Sequence, residues 1–211
     1  MVRFKTVCRE DEASLTIEKS RFISYVRPVK TVEEAEAFIS EIRSRHRDAT
    51  HNVPVYVLGE HFEIQKYSDD GEPSGTAGVP VLQMLVKEGI TDTAVVITRY
   101  FGGIKLGTGG LVRAYTGTAK EALKAAGIAE VKDMHVMNVR IEYTHHGRAE
   151  SLSAKKSFEI RNTVFTDKVT LEVVCEPEAA DDVKKQFDEI TAGTAVYSDE
   201  REELLYVPQS V

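Results

Sequence analysis

Apolar and polar positions recur along this chain with two different periods, and the switches between them mark its elements. SRFISYVRPV (20–29) is rich in β-branched and aromatic residues and predicts a strand. In TVEEAEAFISEIRSRH (31–46), Val32, Ala35, Phe38, Ile39 and Ile42 fall on one helical face. Thr31 stands where a helix cap is needed, with Glu34 three places on as its capping-box partner. VPVYVLG (53–59) and FEIQKYS (62–68) predict two strands joined by a short turn. AGVPVLQMLVKEG (77–89) has a helical pattern, and a first helical turn tolerates Pro80. TAVVITRYF (93–101) is a nearly continuous apolar run, as expected of a buried strand. A glycine-rich loop then leads to LVRAYTGTAKEALKAAG (111–127), a helix that stops at Gly127.

The second half repeats a simpler rhythm. HVMNVRIEYT (135–144) predicts a strand and HGRAESLSAKKSF (146–158) a helix. NTVFTD (162–167) and KVTLEVVCE (168–176) read as a hairpin, PEAADDVKKQFDEITA as a helix opened by Pro177, and TAVYSDEREELLYV (194–207) as a strand. The order β-α-β-β-α-β is the split-βαβ or ferredoxin-like signature. The chain is therefore read as α+β with two domains, 1–131 and 132–211.

Composition adds little until charge is divided between these halves. The net charge of −7 argues against a chain-wide nucleic-acid surface. Residues 1–131 hold 17 Lys and Arg against 18 Asp and Glu, whereas 132–211 hold 10 against 16. Within the near-neutral first part, Thr93 to Lys120 contains Arg99, Lys105, Arg113 and Lys120 and no acid. No apolar run approaches the roughly 20 residues of a membrane span. The opening MVRFKTVCREDEASL interrupts its apolar residues with charge, unlike a signal peptide. Cys8 and Cys175 form no CxxC and fit a reducing, cytoplasmic setting.

Candidate chemistry collects in two glycine-rich stretches. In RYFGGIKLGTGGLVR (99–113), Gly102, Gly103, Gly107, Gly109 and Gly110 fall within nine positions. It is not a Walker A loop, and Gly107-x-Gly109 lacks the third Gly or Ala of a dinucleotide fingerprint because Val112 stands there. What remains is a strand, a loop of small residues and a helix start, where free N–H groups and the helix dipole attract an anion. Arg99, Lys105 and Arg113 can converge on that point, and Tyr100, Phe101 and Tyr115 can stack on bases. The alternative is that the glycines serve tight turns, the cations are solvated and the aromatics are core.

SDDGEPSGTAG (68–78) is the second stretch. Asp69-Asp70-Gly71 is turn chemistry, and Ser74 or Thr76 can cap the following helix. Its functional reading uses Asp69, Asp70 or Glu72 as a base or metal ligand beside Gly75 and its neighbours. His46, His51, His61 and the pair His145-His146 make no zinc pattern, and neither GxSxG nor HExxH occurs. No catalytic set, metal or cofactor is expected, and a non-catalytic protein is preferred to an enzyme.

KYSDDGEPSGTAGVPVL and VVITRYFGGIKLGTGGLVRAYTGTAKEAL, with His51-Asn52 before a strand, strongly resemble the signature of the IMPACT family. The resemblance spans residues 15–127. It implies an N-terminal domain like those of GHMP kinases and a small-subunit ribosomal protein, with a left-handed βαβ unit. It also implies a ferredoxin-like second domain similar to the fifth domain of elongation factor G. The resemblance further implies a link to translational control, since eukaryotic relatives compete for an activator of a stress-responsive kinase of translation initiation. The RWD domain that contributes to that binding has no counterpart in these residues, so that partner is not carried over. The family pattern covers Asp69, Asp70, Gly71, Glu72, Pro73, Gly75, Thr76 and Gly78. It also covers Arg99 to Gly103, Leu106, Gly107 and Gly109 to Tyr115.

Two readings follow. In the first, a regulatory protein binds RNA, the ribosome or translation factors through the basic glycine-rich segment. In the second, the same loop takes a nucleotide or other small phosphorylated ligand, which requires the 69–78 and 99–113 loops to face one pocket.

Overall fold

The computed structural model describes residues 2–154 and 158–209. It divides into two compact units, one of Val2–Val131 together with residues from Tyr206 onward, the other of Lys132–Leu205.

The N-terminal unit is built on a five-stranded antiparallel sheet. Its strands are β2 (Asp11–Ile17), β3 (Ser20–Pro28), β4 (His51–Leu58), β5 (Ile64–Tyr67) and β6 (Thr93–Tyr100), in the order β2-β3-β6-β4-β5. The central β6 is buried from Thr93 to Arg99, which explains its unbroken apolar run. Alternation sorts the sheet's two faces. Phe22, Val26, Val53, Val55, Val57, Val95 and Ile97 pack under α2 (Gly78–Glu88) and α3 (Gly107–Ala126). Ile23, Tyr25, Tyr56, Leu58, Ala94 and Val96 pack against α1 (Val32–Arg45) on the other side. Thr31 caps α1 as the sequence predicts, its hydroxyl accepting from the Glu34 amide (3.2 Å).

The C-terminal unit holds most of β7 (Ile128–Ile141), then α4 (Tyr143–Ser153), β8 (Glu159–Phe165), β9 (Val169–Cys175), α5 (Ala180–Thr191) and β10 (Val196–Pro208) as far as Leu205. The strands run β10-β7-β9-β8, as the split-βαβ order requires. Met137, Val139, Ile141, Leu171, Val173 and Cys175 form its core with Ala149 of α4 and Val183 and Phe187 of α5. The last part of the helix predicted over 146–158 includes residues 155–157, which lie outside the described residues.

Three boundaries depart from the sequence pattern. The charged N-terminus forms two strands, β2 and β1 (Val2–Val7), the latter beside β7. In β2 the alternation is strict, half-buried against exposed through Ile17, but its exposed positions are polar enough to mask it. β7 begins at Ile128 rather than His135, with Ala129 and Val131 buried. Most consequential for function, α3 starts at Gly107 rather than Leu111, so Gly107, Gly109 and Gly110 are its first turn and not a loop.

Candidate anion-binding pocket

Register on the central strands fixes the pocket's floor. Phe22 of β3 and His51 of β4 both pair with Arg99 of β6, so the three side chains share the face covered by α2 and α3. At that position the apolar run of β6 ends in a cation, and the fold must supply an anion to it. Glu72 from the β5–α2 loop does so. Arg99 Nη1 donates to Glu72 Oε1 (2.5 Å), and both side chains are about 95% buried, 5% and 4% exposed. Tyr115 of α3 donates its hydroxyl to the same oxygen (2.8 Å). Burial and then the Glu72 carboxylate push the Tyr115 hydroxyl well above its ordinary pKa, so it remains a donor. Arg99 Nη2 reaches Ser20 Oγ (3.4 Å), its guanidinium lies 5.2 and 5.3 Å from the Phe22 and Phe101 ring centres, and its Nε has no partner among the described residues.

The loop that delivers Glu72 is held by its own acids. Asp69 accepts from the amides of Gly75 (2.8 Å), Ala77 (3.1 Å) and Gly78 (2.8 Å), closing the loop and capping α2. Asp70 accepts from the Asn52 amide (2.6 Å) and from Arg43 (3.1 Å). Two sequence readings are corrected here. Ser74 and Thr76 do not cap α2, and Asp69 and Asp70 are engaged by backbone and Arg43 rather than free as a base or metal ligand. No group of three metal-ligating side chains occurs among the described residues. Gly71 and Gly75 take positive φ (+87° and +76°), which the turn requires.

His51 is set by the same loop. Its Nδ1 lies 2.7 Å from the Asp70 carbonyl oxygen, which can only accept, so Nδ1 carries the proton. Its Nε2 is 3.7 Å from Glu72 Oε1.

The start of α3 forms the opposite wall. Leu106 precedes the helix without a side-chain cap, and the first turn holds no acid, so its amides are open to an acceptor. A pocket of about 410 Å³ lies between this helix start and the Glu72 loop. Glu72, Pro73, His51 and Arg99 border one side of it, Lys105, Leu106, Gly107, Thr108 and Leu111 the other, and Phe101 and Thr50 complete the rim. The volume falls within the range of small-ligand clefts, about 300–1,000 Å³. The two glycine-rich stretches therefore meet at one pocket.

The predicted site residues separate on this geometry. Arg99 borders the pocket, but its charge is met inside the protein by Glu72. Lys120 pairs with Glu88 (2.9 Å). Lys105, exposed on the rim, and Arg113, exposed on α3, have no ionic partner among the described residues. Tyr100 points to the opposite face of the sheet, where its hydroxyl meets His46 Nδ1 (2.8 Å) and Asp48 (3.3 Å). It is not part of the pocket. Gly102 is a packing glycine, since a Cβ there would stand 2.0 Å from the Lys19 carbonyl. Gly103 and Gly107 need positive φ, +87° and +69°, whereas Gly109 needs neither sign nor space. Sequence reasoning had no independent signal for His51 as a pocket residue; only the family pattern pointed to it.

A two-unit α+β chain that gathers two glycine-rich loops around one pocket is the class these features define. Residues 18–123 match the Impact N-terminal domain, and residues 139–194 match a domain of unknown function, DUF1949. The chain belongs to the IMPACT family. It is 42% identical over 207 residues to IMPACT family member YvyE of Bacillus subtilis, covering 98% of this chain and 94% of that one. Against IMPACT family member YigZ of Escherichia coli the identity is 38% over 159 residues, 74% and 78% of the two chains. A crystal structure of a hypothetical protein superposes with a TM-score of 0.57 at 30% identity, covering 92% of this chain and 95% of that one.

Proposed function

We propose that this protein is a non-catalytic regulator related to translational control, and that its N-terminal unit binds RNA by taking a nucleotide into the pocket. The observation that supports the reading is the meeting of both glycine-rich stretches at one cleft of nucleotide-compatible volume, with the start of α3 on its wall. Uncapped amides, the helix dipole and Lys105 favour a phosphate at that wall. Phe101, 45% exposed on the rim, offers a ring for base stacking. Arg113, exposed on the same helix, suits a neighbouring phosphate. The translational setting rests on the family resemblance.

Single-stranded RNA binding measured by fluorescence anisotropy across a salt series tests this. Affinity is expected to fall with salt in proportion to the phosphates contacted, and to weaken roughly tenfold in Lys105→Ala and in Phe101→Ala. Binding indifferent to both substitutions overturns the reading. The meeting of both loops at one pocket also supports a second occupant, a free nucleotide or other small phosphorylated ligand. Tight binding of a mononucleotide without RNA binding would establish that reading instead.

A further inference from the structure

Resting on that reading, we infer that the pocket recognises a ribonucleotide with a free 2′,3′-diol, and so selects the 3′-terminal nucleotide of an RNA over an internal one. The inference comes from the two walls, which offer opposite hydrogen-bonding chemistry.

On the α3 wall the Lys105 ammonium and the open first-turn amides donate, flanked by the apolar Leu106 and Leu111. On the other wall the unused groups accept. Glu72 is only 4% exposed, its Oε1 already receives Arg99 and Tyr115, and its Oε2 has no donor among the described residues. Oε2 is not sealed away, unlike Arg99 Nε, and the space Glu72 borders is the pocket. His51 adds a second acceptor. The Asp70 carbonyl fixes a proton on Nδ1, so the tautomer this contact selects presents its lone pair at Nε2, 3.7 Å from Glu72 Oε1 and too distant to bond with it.

A buried carboxylate oxygen and an imidazole nitrogen side by side ask for two hydroxyl or amine donors. The carboxylate oxygen also repels phosphate. A ribose cis-diol meets the first requirement, in the manner of the acidic residue that holds a ribose hydroxyl in dinucleotide sites. The phosphate on the 5′ side of the same nucleotide then lies toward the α3 start. Arg113, on the exposed face of α3 beside Gly109, is available to the next phosphate upstream. An internal nucleotide would put its 3′-phosphodiester against Glu72. A chain ending there does not.

Anisotropy with one 5′-labelled RNA sequence finished in three ways, as 2′,3′-diol, 3′-phosphate or 2′,3′-dideoxy, tests the inference on the wild-type protein. The diol is expected to bind tightest, the dideoxy end roughly 10-fold more weakly and the 3′-phosphate end at least roughly 30-fold more weakly. Lys105→Ala should weaken all three alike, whereas His51→Ala should narrow the gap between diol and dideoxy ends. Competition separates the sources of the diol. Displacement by a ribonucleoside 5′-monophosphate but not by its 2′,3′-dideoxy form supports diol recognition with the free nucleotide as occupant; no displacement by either supports the RNA end. Equal affinity for the three ends, still weakened by Lys105→Ala, overturns diol selection and leaves the RNA pocket standing. Absence of binding by all three RNAs overturns the pocket reading itself.

Discussion

Both units contain arginines paired with glutamates, and the two arrangements behave as opposites. In the N-terminal unit a single pair, Glu72 with Arg99, lies almost wholly buried at the pocket floor. In the C-terminal unit Arg161 and Arg201 share Glu172 and Glu203 in a four-member set, with side chains 21–42% exposed. Around the buried pair desolvation dominates, and it raises Tyr115 further than the neighbouring carboxylate does. In the exposed set hydrogen bonds from Arg161 and then Arg201 dominate, and they pull Glu172 down to about 2. The lesson is that burial, and not the number of contacts, decides what an ion pair can do. The exposed set ties β8, β9 and β10 together in water, while the buried pair fixes a loop and holds a carboxylate oxygen at a cavity wall.

Removing one partner from each is the strongest way to break that contrast. Glu72→Ala leaves the Arg99 charge buried without compensation and is expected to cost about 3–5 kcal/mol in urea unfolding. The double variant Glu72→Leu with Arg99→Met removes both charges and should recover most of that loss. A cost below about 1 kcal/mol for Glu72→Ala would mean that water reaches the pair and that it resembles the surface set. For the same reason Arg99→Ala is a poor probe of ligand binding. The next largest effect belongs to Gly102→Ala, whose Cβ would meet the Lys19 carbonyl at 2.0 Å. The strand end must shift to admit it, at roughly 1–3 kcal/mol by the same unfolding measurement.

These two positions also mark the limit of what the sequence can say. Most elements were legible because their periodicity is clean: β6 as a continuous apolar run, α1 through its five apolar positions and its Thr31 cap. The second unit's order was legible because hairpin and helix signals alternate. β1 and β2 were hidden because Arg3, Lys5, Glu12, Ser14 and Thr16 interrupt their apolar residues, a pattern that period counting alone reads as surface. The pocket was half legible. Both loops stand out by composition, yet nothing local tells that Arg99 finds Glu72 27 residues away. That pairing depends on strand register and on Asp69 folding the loop back, which are tertiary facts. Glycine count was equally ambiguous, because Gly102, Gly107 and Gly109 look alike in sequence and differ in packing, φ and neither.

Gly109 turns that last difference into a measurement. It lies in the first turn of α3 with ordinary φ, and its nearest Cβ neighbour would be the mobile end of Arg113 at 3.5 Å. Gly109→Ala should therefore stabilise the N-terminal unit by about 0.5–1 kcal/mol, the ordinary gain of Ala over Gly inside a helix. If RNA approaches the helix start closely, the same substitution should weaken binding. Stability gained together with affinity lost would show that this glycine serves the ligand and not the fold. Stability gained with affinity unchanged would place the bound chain away from this turn.

The smallest effect is expected on the exposed side of the comparison. Glu172 titrates near 2 in the folded unit, below the roughly 4.3 of an unconstrained glutamate, because Arg161 and Arg201 favour its charged form. A depressed carboxyl contributes stability that is complete above the unfolded value and is lost as pH falls through the folded one. The C-terminal unit should thus weaken progressively between about pH 5 and pH 2, and Glu172→Gln should flatten that slope. Solvent screening holds the effect to at most about 1 kcal/mol, and raising salt should shrink it further. Amide exchange along β9 reports this unit alone, so it separates the change from anything at the pocket. An acid slope in Glu172→Gln as steep as in the wild type would assign the loss to other carboxylates on that sheet face, Glu203 among them, and Glu172 would then contribute nothing to the unit's acid response.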